Sequence, residues 1–166
     1  MGEYWHFKAG CEEKAKKFLG NIPEPVLDLD FKIGKRDFVT AGTASSAIKL
    51  SLKRIGVDNV TLRTVAIAAY EAEINCTAHA DGADIICNIY PDLVHIIFHD
   101  YGPGMEDIEQ SMVPGYSTAD EMVREMGFGA GLGLPNIKKN SDVLHIVSEK
   151  NKRTYLEIIT YFDVNA

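Results

Sequence analysis

Gly127, Gly129, Gly131 and Gly133 stand at alternating positions and are followed by Leu134 and Pro135. Glycine at every second position bares main-chain N–H groups, so phosphate oxygens can come within hydrogen-bond reach of the backbone. Pro135 suits a first-turn position, where its missing N–H costs nothing, so residues 134–140 read as a helix whose positive end faces the same anion. A Walker A loop would need Lys followed by Ser or Thr where Leu134 and Pro135 stand, and the dinucleotide pattern fails at Leu132 and Leu134. Taken alone, the loop could also be a flexible glycine hinge, the lesser of the two readings.

A second group lies in residues 61–80, an Ala-rich stretch without Gly or Pro that predicts a helix. Ile67, Glu71, Asn75 and His79 recur every four residues. Each lies about 40° around the axis and roughly 6 Å along it from the last, which makes one stripe. Glu73 points about 200° away from Glu71, so Glu71 is the carboxylate of the stripe. A carboxamide oxygen such as that of Asn75 is a hard neutral ligand that Mg²⁺ accepts alongside water and phosphate. A carboxylate one turn away can take a proton from an attacking hydroxyl. Asn75 and His79 would also serve as buried polar groups paired with neighbouring backbone.

The third group ends the run 93–100, whose β-branched and aromatic residues stop abruptly at Tyr101-Gly102-Pro103-Gly104 and predict a strand. Alternation puts Val94, Ile96, Phe98 and Asp100 on one face, so a carboxylate closes an apolar wall. Such an acceptor can bind the exocyclic amine of a purine, with Gly102 and Gly104 letting the ring approach the backbone. A bare Asp-x-Gly-x-Gly is also an ordinary strand-ending turn. His95 and His99 fall on the other face, and four residues of strand separate them by about 13 Å, too far to grip one ion.

The order Glu71-x-x-x-Asn75, Asp100-x-Gly102-x-Gly104 and Gly129-x-Gly131-Leu132-Gly133-Leu134 resembles the N box and the two glycine boxes of the GHKL ATP-binding superfamily, which includes gyrase, MutL and the histidine kinases. The resemblance spans residues 27–162. Within it, the small bacterial serine/threonine kinases that act as anti-sigma factors or as switch kinases of stress signalling are the branch most similar to the stretch from Gly104 through Ser117 and Thr118 to the glycine loop.

That resemblance implies a two-layer α+β sandwich, a mixed and mainly antiparallel sheet covered on one face by helices, with ATP and Mg²⁺ as cofactors. It implies Glu71 as general base, Asn75 as Mg²⁺ ligand, Asp100 as reader of the adenine amine, and Gly102 and Gly104 as the floor of the purine pocket. Gly129, Gly131, Leu132, Gly133 and Leu134 would cradle the phosphates, and Ser117 and Thr118, in the lid-like segment 114–128, would add hydroxyl contacts. Thr154 stands where such kinases often carry a threonine beside the adenine, although Lys152 and Arg153 replace the usual Gly-Thr before it. The implied activity is transfer of the ATP γ-phosphate to a serine or threonine of a regulatory protein, either an antagonist-like substrate or a sigma factor. A nucleotide-dependent binding switch with slow or no phosphotransfer is the other behaviour of the family, and some relatives pair as homodimers.

The elements that must position these groups follow from periodicity. Strands are expected at 26–33, 83–90, 93–100, 143–148 and 154–162, and helices at 38–55, 61–80 and 134–140. Hairpins grouped apart from helices indicate one sheet packed against a helical layer. Residues 1–25 form an extension of open role, read as a short amphipathic helix or a partner-binding arm ending at Pro23 and Pro25, with 26–166 as the ATP-binding domain.

The 166 residues, 46% hydrophobic and 25% charged, fit a domain of ordinary size with a full core. No run approaches the ~20 apolar residues of a membrane span and no signal peptide is visible, so a cytoplasmic location is expected. Cys11, Cys76 and Cys87 make no Cys-x-x-Cys pair and are expected to be reduced and buried. A net charge of −7 argues against general nucleic-acid affinity.

Overall fold

A computed structural model describes residues 2–34, 39–79, 82–114 and 133–162. In chain order the elements are β1 (Gly2–Phe7), α1 (Glu12–Gly20), β2 (Leu27–Gly34), α2 (Thr43–Arg54), α3 (Asn59–His79), β3 (Gly82–Ile89), β4 (Leu93–Asp100), α4 (Ile108–Ser111), α5 (Gly133–Lys139), β5 (Val143–Ser148) and β6 (Tyr155–Tyr161). The six strands form one sheet in the order β1-β5-β6-β4-β3-β2. Every pairing is antiparallel, so the mixed sheet expected from the sequence resolves into an antiparallel one among the described residues.

Period-two alternation decides the faces. Ile85, Cys87 and Ile89 of β3, Val94, Ile96 and Phe98 of β4, Leu144 and Ile146 of β5, and Leu156 and Ile158 of β6 are buried in one core. Ala44, Ile48 and Leu52 of α2, Leu62, Val65, Ala68, Ala69, Ala72 and Cys76 of α3, and Leu134 and Ile137 of α5 close it from the other side. The small residues of α3 let α2 and the sheet approach closely, and the resulting apolar burial, at about 25 cal/mol per Å², is what holds the two layers together.

The opposite face is not bare. Leu93, Val143 and Ile159, one residue out of phase with the main core, pack with Cys11, Ala15, Phe18, Leu19 and Tyr90 under α1. The expected helix of the extension therefore exists, but on the second face of the sheet. It is preceded by a strand: residues 2–7 pair with β5 from Gly2 against Ser148 to Phe7 against Val143. The helix expected over 38–55 begins at Thr43, after Gly42 turns the chain at φ 95°, with 35–38 outside the described residues. The four-residue α4, capped by the Asp107 carboxylate on the Gln110 N–H, was not anticipated. No helix among the described residues is long and apolar enough to cross a membrane.

Candidate functional site

Helix α3 presents Ala68, Ala69, Ala72 and Cys76 to the core, which leaves Glu71 and Asn75 half-buried on an adjoining stripe. Helix α5 begins on that stripe. A Cβ placed on Gly133 would lie 3.3 Å from Asn75 Oδ1 and 3.6 Å from Glu71 Oε2, so the bare Cα brings the helix start against both side chains. One turn further on, Asn136 donates its Nδ2 to Glu71 Oε1 at 3.5 Å. Burial pushes the Glu71 carboxyl above its ordinary range, and the Asn136 hydrogen bond pulls part of the way back. Oε2 is left as the acceptor beside Gly133.

Asp100 stands at the end of β4. Its Oδ1 accepts the Gly102 N–H at 3.0 Å and the Thr154 N–H at 3.1 Å, and its Oδ2 has no hydrogen-bond partner among the described residues. Burial raises its pKa, while the Gly102 and Thr154 N–H groups and the nearby His99 act in the other direction. The carboxylate is close enough to α3 to oppose ionisation of Cys76, the residue after Asn75, whose own burial is the larger effect. Glu71, Asn75, Gly133 and Asp100 thus belong to one end of the α3–β4–α5 packing.

Gly104 plays a different part from the one its spacing implied. It has φ 75°, and a Cβ there would meet the Glu149 carbonyl oxygen at 1.9 Å and that of Lys152 at 2.5 Å. Its missing side chain is therefore required by packing against the β5–β6 turn. Thr154, buried, joins its hydroxyl to Ser148 Oγ at 2.6 Å, and Ser148 Oγ accepts the Met105 N–H at 2.8 Å. This clasp fixes the segment after Asp100 to the β5–β6 hairpin. Leu134 is buried in the core beneath the start of α5. Ser117, Thr118, Gly129, Gly131 and Leu132 lie outside the described residues.

Asn136 and Ser148 escaped the sequence reading. Asn136 follows Gly133 by three positions, so helical periodicity alone puts it on the face that meets Glu71. Nothing local marks Ser148, whose partners are held by the hairpin and by the segment after β4. Among the described residues no cluster of three or more His, Cys, Asp or Glu side chains could hold a metal.

No family model matches the sequence, and no match is found among the curated proteins. The fold does recur among solved structures: a chain of the crystal structure of the SiaB–SiaC complex from Pseudomonas aeruginosa aligns over 90% of this chain and 96% of its own, with a TM-score of 0.50 and 13% identity. At that identity the likeness is one of fold, a helical layer on an open antiparallel sheet.

Proposed function

We propose that the protein binds Mg·ATP at the α3–β4–α5 end of the sheet and acts on a regulatory protein as a serine/threonine kinase of the anti-sigma or switch type. The observation that carries the reading is the meeting of Glu71 Oε2 and Asn75 Oδ1 at the bare Cα of Gly133, where the glycine run enters a helix. A proton acceptor, a neutral oxygen ligand and the positive end of a helix approached without a side chain in front are what phosphoryl transfer from a nucleotide requires of a protein.

Asp100 supports a purine with an exocyclic amine, because Oδ1 is occupied by two main-chain N–H groups while Oδ2 has no partner among the described residues. Asn75 would supply the protein's oxygen to Mg²⁺, with phosphate oxygens and water completing the shell. Glu71 Oε2 would take the proton of a partner's serine or threonine hydroxyl as that oxygen bonds to the γ-phosphorus and the bond to the departing ADP oxygen breaks. The likeness in fold to a chain crystallised in a two-protein complex agrees with a role exercised on a protein partner.

The test uses calorimetry and radiolabelled ATP. ATP is expected to bind with and without Mg²⁺, and label is expected on a serine or threonine of the cognate protein, with Glu71→Gln binding ATP but transferring nothing. If ATP and ADP both fail to bind the folded protein, the proposal is wrong. Partner capture that depends on ATP without any phosphoprotein would select the binding-switch behaviour instead.

A further inference from the structure

On the sheet face away from α2 and α3, four strands contribute to a chain of hydrogen bonds. His145 of β5 is bound at both ring nitrogens by carboxylates: Nδ1 to Glu157 Oε1 of β6 at 2.6 Å, and Nε2 to Glu3 Oε2 of β1 at 2.8 Å. Glu157 Oε2 is shared by His95 Nε2 of β4 at 2.7 Å and the Tyr155 hydroxyl at 3.1 Å. An ionised carboxylate only accepts, so both bonds are made at once by the imidazolium form of His145. The Trp5 indole stacks on that ring, centroids 3.6 Å apart and planes 10° from parallel, an arrangement that favours its charge.

The two carboxylates differ. The Glu157 side chain is 5% exposed and that of Glu3 is 56% exposed. Burial opposes ionisation of Glu157, but the donors His145 and His95 outweigh it and hold the carboxyl at about 2. It therefore requires its donor at every ordinary pH. A proton lost from His145 must leave Nε2, which then turns a lone pair towards Glu3, and Glu3 can swing into water.

We infer that His145 is a pH-titrated clamp on the N-terminal strand: protonated, it ties β1 to the sheet through Glu3 and Trp5, and on deprotonation it loses the Glu3 tie, so that β1 opens more often. Burial alone would lower the His145 pKa, but the hydrogen bonds and charges of Glu157 and Glu3 raise it overall. A group with a raised folded-state pKa contributes its full stability below its unfolded pKa and loses it as the pH climbs through the folded value, so the clamp fails on the alkaline side. The groups facing the network are Glu3 and Trp5 from β1, Glu157 and Tyr155 from β6, His95 from β4 with His99 beyond Tyr155, and Phe18 from α1. Of the α1 cations, Lys14 sits over the Tyr161 ring and Lys16 over that of Phe7. His6, on the other face of β1, acts in the opposite sense: burial and then Lys138 lower its pKa, so its effect on stability is lost as the pH falls rather than as it rises.

Amide exchange of residues 2–7, corrected for intrinsic rates between pH 6 and 9 and read beside an NMR titration of the histidine rings, tests this without any nucleotide. Protection of β1 is expected to fall by roughly threefold to tenfold through the His145 midpoint, the size of one charge-assisted contact. Protection of β4 should stay constant. His145→Gln and the more conservative Glu3→Gln, at a largely exposed side chain, should both abolish the pH dependence. Constant β1 protection through the titration, or a drop that persists in Glu3→Gln, would overturn the inference.

Discussion

Glu71 and Glu73 leave α3 on opposite sides and meet opposite surroundings. Glu71 is half-buried with one weak donor, Asn136, whereas Glu73 is 2% exposed and accepts the N–H groups of Gly42, Ala44 and Ser45 at 3.0, 3.2 and 2.9 Å. Helix α2 has no side-chain cap of its own, so a carboxylate from the neighbouring helix satisfies its orphan donors and complements its positive end. Glu73→Ala would leave three buried donors unpaired and is expected to cost about 3 kcal/mol in urea unfolding. A loss below about 1 kcal/mol would show that water replaces the cap.

Glu71→Gln should behave in the reverse way. The raised pKa of Glu71 means the fold disfavours its ionised form, so the wild type is relieved only as the pH falls through that pKa. At pH 7 the Gln variant is expected to be at least as stable as the wild type by thermal unfolding, with the difference vanishing in acid. A clear drop in melting temperature at pH 7 would assign Glu71 a structural duty.

Much of this arrangement was legible in the sequence, because it rests on local period. The spacing of Glu71 and Asn75 fixed their common stripe, the two-residue offset removed Glu73 from it, and the alternation ending at Asp100 gave β4 its exact bounds. What stayed hidden depends on contacts between distant segments. Residues 2–7 alternate Glu3, Trp5 and Phe7 with Tyr4 and His6, an unclear strand signal whose partner lies at 143–148. The role of Glu73 required knowing that α2 begins beside it, and the His145 network draws on four strands. By spacing alone Gly104 looks like an opening for a ligand, because spacing cannot show the hairpin turn that presses on it.

Gly133→Ala separates fold from ligand. The atoms nearest the added methyl among the described residues are the ends of the Asn75 and Glu71 side chains, at 3.3 and 3.6 Å, and alanine is the better helix former. Stability should hold while ATP affinity, read by calorimetry, falls roughly tenfold or more, a loss of about 1.4 kcal/mol. Affinity within about twofold of wild type would mean that no phosphate passes over this Cα.

Asp100→Asn tests the proposed reader of the purine. The asparagine oxygen can keep both main-chain N–H groups, so the turn should survive, but its amide would then point a donor at a donor. The expected loss in ATP affinity is on the order of a hundredfold, the scale on which a site rejects a ligand that leaves buried polar groups unpaired. Asn75→Ala in magnesium-free buffer should lose far less, because its oxygen is assigned to the metal. Equal losses would undo that division of roles.

Asn136 is expected to set the acid limit of the proposed transfer. Its Nδ2 donates to Glu71 Oε1, which favours the ionised carboxylate against the effect of burial. A general base must be deprotonated, so the rate should fall in acid with a midpoint above that of an ordinary glutamate. Asn136→Leu removes the donor and keeps the bulk, and should move that midpoint to higher pH while leaving the alkaline plateau largely intact. A carbon-13 titration of the Glu71 carboxyl must move in the same direction, with or without a partner protein present. If the carboxyl titrates identically in both proteins, the amide does not govern Glu71, whatever happens to the rate.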